Sequence, residues 1–319
     1  MNLTLTKYLR LFFPSFAVLI TLLAQIFIPK SSLDFKKQLP YYEWILFASL
    51  AITLICAIVY LITKKNEKYL FKGWFTGAVF IIVGIYNLAT LKFQLINPLF
   101  FPAPDKILGV FFKDGTFLLK CVGASLRMLS VGLFFGIVLG LLTGVLIGWF
   151  TKWNYWLDPI VKILGPIPST AFIPIALTSF HTPFQASVFL LALTVWFPVT
   201  ILTYSGISNI KKTFFEVADT FGASDFQKIV HVAIPGALPN IFVGIFNGMC
   251  SSFITLMTAE MLGVKFGIGW YINWQREIMG YANVYAGLIV IAVTFTIMIT
   301  ILFKIRDHFL KWQKGFVKW

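Results

Sequence analysis

Apolar residues run along this chain in long blocks separated by short basic stretches. About 20 consecutive apolar residues cross a bilayer as a helix. Read that way, eight spans emerge, near 11–28, 44–63, 73–91, 128–150, 163–180, 186–206, 239–261 and 284–303. The first could pass for a signal peptide. It carries Pro14 and has no small-residue cleavage site before Lys30, so it is read as a span. The stretch 105–118 has an apolar face but is too short to span, and reads as an interfacial helix on the outer side. The pattern predicts an all-α, polytopic membrane helical bundle.

The spans are not plain apolar rods. The fourth carries Gly132, Gly136, Gly140, Gly144 and Gly148, a strict spacing of four. Such a groove without side chains lets another helix approach closely. Packing within the chain is the favoured reading, ahead of a seam between copies or a path surface. The fifth span contains Pro166, Pro168 and Pro174. Each removes a backbone donor and frees a carbonyl, which in lipid needs a protein or water partner. This span is therefore expected to face other helices or an aqueous path. Along the seventh span Asn247, Ser251, Ser252, Thr255 and Thr258 form a polar ribbon, open to helix–helix hydrogen bonding or to lining a path. Glu260, near the end of that span, is either a structural group bonded to backbone amides or a functional one. Arg127 reads as an interface anchor or the partner of an acid, and His181 as a solvated loop residue. Pro168, Pro174, Asn247, Ser251, Thr255 and Glu260 form the candidate translocation path.

Composition agrees with a membrane protein: 59% of the 319 residues are hydrophobic and 12% charged, against about 25% charged in soluble domains. The net charge of +14 would suit nucleic acid, but the basic residues sit between apolar runs, where the positive-inside rule accounts for them. With the N-terminus inside, cytoplasmic segments hold Lys7, Arg10, Lys64, Lys65, Lys68, Lys72, Lys152, Lys162, Lys211, Lys212, Lys228, Lys304, Arg306, Lys311, Lys314 and Lys318, sixteen of the 26 basic residues. Both termini then fall in the cytoplasm. Cys56, Cys121 and Cys250 lack metal-ligand spacing, and His181, His231 and His308 lie in separate segments. No catalytic set and no P-loop is present. No bound cofactor is expected, and any ATP is used by a partner subunit.

Between the sixth and seventh spans lies a segment of mixed charge and apolar stripes. Residues 211–221 predict a short helix with Phe214, Ala218 and Phe221 on one face. Gly222 suits the left-handed turn that ends it. Ser224 with Gln227 forms a capping-box pattern opening a second helix, whose stripe is Phe226, Ile229 and Val230 and which Pro235 is expected to close. Local physics allows docking to a protein partner or lying on lipid headgroups.

This segment resembles the EAA motif of ABC importer permeases: Glu-Ala-Ala, three residues, Gly, nine residues, Ile-x-Leu-Pro. Here Glu216, Val217 and Ala218 precede Gly222, and after nine residues come Val232, Ala233, Ile234 and Pro235. Val217 replaces the usual alanine. Ala223, Ser224, Ala237, Leu238 and Pro239 match common extensions. Outside the loop, Phe101 to Pro104, Ser125 to Arg127, Asp158-Pro159, Pro166 to Pro174 and Ala259 to Gly263 resemble the nitrate/sulfonate/taurine branch, over about residues 100–310. Two features depart: the first two spans are extra to a six-span core, and Thr178 to His181 stands where the branch has Trp-Phe-Gly. The resemblance implies a loop seated in an ABC ATPase subunit through Glu216, Ala218, Gly222, Ala223, Ser224 and Pro235. It implies also an extracellular substrate-binding protein, a homodimer of this chain in lipid, and a small cargo (an anion, sulfonate or vitamin precursor such as a pyrimidine).

The implied organisation is an N-terminal extension with the first core helix over 1–92, a permease core over 93–310 with the loop at 207–239, and a cytoplasmic tail at 311–319. The competing readings are an ion-coupled secondary transporter, which would usually show internal repeats with buried ionisable groups, and a membrane enzyme, which would need clustered acids or histidines. Neither feature is evident.

Overall fold

The computed structural model describes residues 3–29, 40–63 and 67–312. Lys64, Lys65, Lys314 and Lys318, and most of the tail, lie outside them. The helices are α1 (Leu3–Phe27), α2 (Tyr41–Thr63), α3 (Glu67–Asn87), α4 (Pro104–Lys113), α5 (Gly115–Trp149), α6 (Thr151–Leu164), α7 (Ile173–Ser179), α8 (Pro183–Ser208), α9 (Lys212–Thr220), α10 (Asp225–Lys228), α11 (Ile234–Gly263), α12 (Ile268–Glu277) and α13 (Tyr281–Phe309). No strand occurs among the described residues. Seven helical stretches are long and apolar enough to span: Lys7–Phe27, Tyr41–Thr63, Tyr69–Lys92, Gly115–Trp149, Pro183–Ser208, Asp225–Gly263 and Tyr281–Phe309.

Four expectations are corrected. The fifth span is not one helix: α6 and the stretch Ser169–Ser179 are bent by 88°. Pro166 and Pro168 cannot donate backbone hydrogen bonds, and Pro168 sits at φ −58°, ψ 129°, outside the helical region. The fourth span begins at Gly115 rather than near 128, because Lys120 and Arg127 are tolerated within a 35-residue helix. The short amphipathic helix before it ends at Lys113 rather than near 118. Pro235 does not close the second loop helix: a π turn over Ile229–Ala233 precedes it, and Ile234 donates to the Ile229 carbonyl. One wide turn absorbs the missing proline donor, and the chain runs on into α11.

Two compact units are present. The first comprises residues 1–115 with 275–286. Within it Gly73, Gly77 and Gly84 on α3 face the Arg10 carbonyl, the Phe13 ring and the Thr21 methyl of α1, where a β carbon would collide. Buried Gln25 binds Glu43 (3.1 Å) and Asn87 (2.6 Å), tying α1 to α2 and α3. Asp105 accepts from the Tyr42 amide at 2.7 Å, tying α4 to α2.

The second unit comprises residues 116–274 with 287–319. Its spine is α8. On one side the five glycines of α5 meet Leu191, Val195, Val199, Thr203 and Ile207, themselves spaced by four. At Gly136, Gly140 and Gly144 an added β carbon would lie 2.6–2.7 Å from a side-chain Cβ of α8, and within 3.0 Å of a backbone carbonyl. On the other side Gly244 and Gly248 of α11 lie against Pro198, Val199 and Val195. The glycine groove is thus packing within the chain.

Candidate functional site

The loop between α8 and α11 is a helical hairpin. Its α9 ends as the sequence requires. Phe221 is the C-cap, Gly222 adopts φ +71°, and Ala223 N–H returns to the Ala218 carbonyl at 3.1 Å. The capping box then forms: Ser224 N–H donates to Gln227 Oε1 (2.8 Å), and Gln227 N–H to Ser224 Oγ (3.4 Å). Lys228 Nζ lies 2.9 Å from both Asp219 and Asp225, clasping α9 to α10 across Gly222.

The hairpin is anchored on one side. Phe215 packs edge-on to Trp149 at the end of α5 (5.4 Å between centroids), and Lys228 lies 5.9 Å from the same indole. Phe215 and Ile210 join the cluster of Ile207, Ala233, Ala237 and Ile241. On the same hairpin Phe214, Val217, Phe221 and Phe226 are exposed, Phe221 by 85%. Glu216 is exposed on the same helix. Ala218 and Ala223 are half-buried, and Pro235 lies beyond the π turn at the start of α11. So Glu216, Ala218, Gly222, Ala223 and Ser224 share one short arm, with Pro235 at its root.

Deeper in the same unit a cavity of 410 Å³ opens beside the α6–α7 break. Its wall brings together Pro168, Ser251 and Thr255 with Ser169, Thr194 and Trp196. The hydroxyls of Ser169, Thr194 and Thr255 form a triangle with sides of 2.6, 3.0 and 3.1 Å, drawn from three elements. Bonds of this kind between membrane helices contribute about 0.6 kcal/mol each on average, so the triangle holds the break loosely. None of the lining residues is charged.

Pro174, Asn247 and Glu260 lie outside this lining. Asn247 is exposed on α11. Glu260 is wholly buried. It accepts from Ser125 Oγ–H at 2.6 Å and from Gly269 N–H at 2.8 Å, while Ser125 Oγ accepts from Ile268 N–H at 2.9 Å. Its carboxyl thereby meets the otherwise unpaired donors at the start of α12, Gly269 N–H directly and Ile268 N–H through Ser125. Gly267, at φ +149°, leaves room for it. Of the polar ribbon, Ser252 and Thr258 bond back to their own helix. Arg127 lies over the Phe184 ring at 5.4 Å. Among the described residues no group of three or more His, Cys, Asp or Glu could hold a metal.

Sequence reasoning missed Ser169 and Thr194, which lie next to Pro168 and four residues before Pro198. It missed also the anchors Trp149 and Phe215. The adjacent prolines flagged the break, but nothing local to 149 or 215 reveals their meeting.

Comparison with known proteins places this geometry. Residues 136–314 match the model of the family described as binding-protein-dependent transport system inner membrane component. The taurine transport system permease protein of Escherichia coli (strain K12) is 28% identical over 174 residues, 52% of this chain and 62% of that protein. The nitrate import permease protein of Leptolyngbya laminosa is 29% identical over 175 residues, 52% of this chain and 61% of its own length. An aliphatic sulfonates transport permease protein of Bacillus subtilis (strain 168) is 28% identical over 249 residues, 76% of this chain and 90% of that one. The match thus spans about three fifths of the taurine and nitrate relatives. A structure of the MetNI methionine ABC transporter, in inward facing conformations, superposes with a TM-score of 0.50 at 20% identity, covering 60% of this chain and 96% of that one. That likeness shows the fold alone.

Proposed function

Given that this chain belongs to the family of binding-protein-dependent transport system inner membrane components, we propose that it is the membrane-spanning subunit of an ATP-driven importer. The observation that carries this reading is the hairpin. It is anchored by Phe215 and exposes Phe214, Val217, Phe221 and Phe226. Four large exposed apolar residues on one short hairpin mark an interaction surface. Its proposed partner is an ABC ATPase subunit, seated against Glu216, Ala218, Gly222, Ala223 and Ser224.

The fold supplies a route from that surface to the cavity. Residues 225–263 form one unbroken helical stretch, because the π turn replaces a break at Pro235. Displacing the hairpin therefore displaces α11, which brings Ser251 and Thr255 to the cavity wall. The α6–α7 break sits against that wall through Ser169, bonded to Thr255. In this reading ATP binding by two ATPase subunits draws together the hairpins of two copies of this chain and turns the path outward. Hydrolysis resets it. A substrate-binding protein delivers the cargo from outside, both termini are cytoplasmic, and cofactor chemistry stays with the ATPase. The cargo is a small solute of the kind the relatives' names carry, a sulfonate or small oxyanion.

The test is uptake by vesicles containing the chain with its ATPase and binding protein. Accumulation that needs ATP and stops on removal of the ATPase supports the reading. Uptake that persists without the ATPase and follows an ion gradient would establish the secondary-transporter alternative.

A further inference from the structure

A groove of 660 Å³ lies behind the hairpin, between the end of α8, the first turn of α9, the π turn and Trp312. Its polar side chains are Lys211, His231, Asn209 and Asn240, and none of its lining residues is acidic. The hairpin's own carboxylates Asp219 and Asp225 are engaged by Lys228. The side chains of Lys211 and Asn240 make no ion pair or hydrogen bond among the described residues, the Lys211 carbonyl accepting from Phe214 N–H at 3.1 Å. His231 uses only Nδ1, against the Gln227 carbonyl at 3.1 Å, which leaves Nε2 open. The remaining walls include Phe214, 59% exposed, and Trp312, 58% exposed. The volume falls within the range of about 300–1,000 Å³ typical of small-molecule sites.

We propose that this groove binds a phosphate group, carried either by an anionic lipid headgroup or by a soluble phosphate. An unengaged ammonium, an imidazole and two amides, Asn209 bonded to Ser205 Oγ at 3.3 Å, with no carboxylate among the described lining residues, form an anion-selective set. The position suits such a ligand, because the groove lies where α8 ends and α11 begins, at a membrane boundary. Basic pockets between helices at that depth take lipid headgroups. The apolar walls at Phe214 and Trp312 accommodate what the phosphate is attached to. A ligand there touches α9 and the π turn together, so occupancy braces the hairpin against the bundle. The inference rests on the hairpin lying at a membrane face and not on what docks to it.

Native mass spectrometry of the full chain, released from detergent with added phosphatidylglycerol, tests the site without ATPase or cargo. Its failure is therefore separable from failure of the importer reading. The wild-type chain should retain one phosphatidylglycerol that the double variant Lys211→Ala, His231→Gln retains about fivefold less, the size expected for removing a lysine near an anionic group. Lys211→Arg, which keeps the charge, should retain it as the wild type does. Displacement by millimolar inorganic phosphate identifies a site for soluble phosphate, and resistance to displacement identifies the lipid. Equal retention by the wild type and the double variant, with no phosphate effect on either, overturns the proposal.

Discussion

Along α5, five glycines are consumed by contact with α8, whereas Gly222 in the hairpin has no atom within 4 Å of where its β carbon would stand. The first set is needed for space and the second for a backbone angle. The difference separates the two regions mechanically. The α5–α8 seam is closed to backbone distance, while the hairpin keeps its shape by local rules and leaves its apolar residues uncovered. A rigid spine carrying a self-supporting, exposed arm is what transmission of force from a separate motor calls for.

The largest effect should come from filling the seam. Gly140→Leu sets side-chain atoms into Val199 and the Trp196 carbonyl. Overpacking costs about 1–3 kcal/mol where neighbours can shift, and more where backbone blocks them. We expect loss of folded protein on size-exclusion chromatography in detergent, with Gly140→Ala milder. An unchanged melting temperature for Gly140→Leu would remove α8 as the spine. Next comes Glu260→Ala, which strands the Ser125 and Gly269 donors at a cost of about 1–3 kcal/mol. Glu260→Gln keeps an acceptor and should lose less, as thermal unfolding would read. The smallest of these three effects on stability belongs to Gly222. A valine at φ +71° costs about 1–2 kcal/mol, whereas asparagine tolerates that region better. Melting temperatures should therefore rank glycine first, asparagine next, and alanine and valine below it; alanine, smaller than asparagine, melting above it would contradict the angular account.

How much of this was legible in the sequence depends on how local each cause is. The hairpin was readable because Gly222, Ser224 and Gln227 act within a few residues of one another. The glycines of α5 were readable as a groove, but not what filled it, since Leu191 to Ile207 announce no partner. The α3 stripe of Gly73, Gly77 and Gly84 follows the same rule with less regular spacing and went unread. Pro235 misled for a physical reason: the hydrogen bond a proline removes is absorbed here by the π turn over Ile229–Ala233, which has no sequence signature. The α6–α7 break was foreseen as irregularity, but not as an 88° bend. The hydroxyls of Ser169, Thr194 and Thr255 meet only once that bend and α8 are both in place.

The central claim, that the exposed arm is the docking surface for a motor subunit, is tested most directly at Phe221, its most exposed apolar residue. Phe221→Asp removes apolar surface that touches nothing else in the chain's core, so the variant should insert and melt as the wild type does. The ATPase subunit should fail to copurify with it, and ATP-driven uptake should disappear. Copurification of the ATPase with Phe221→Asp at wild-type yield would contradict the account.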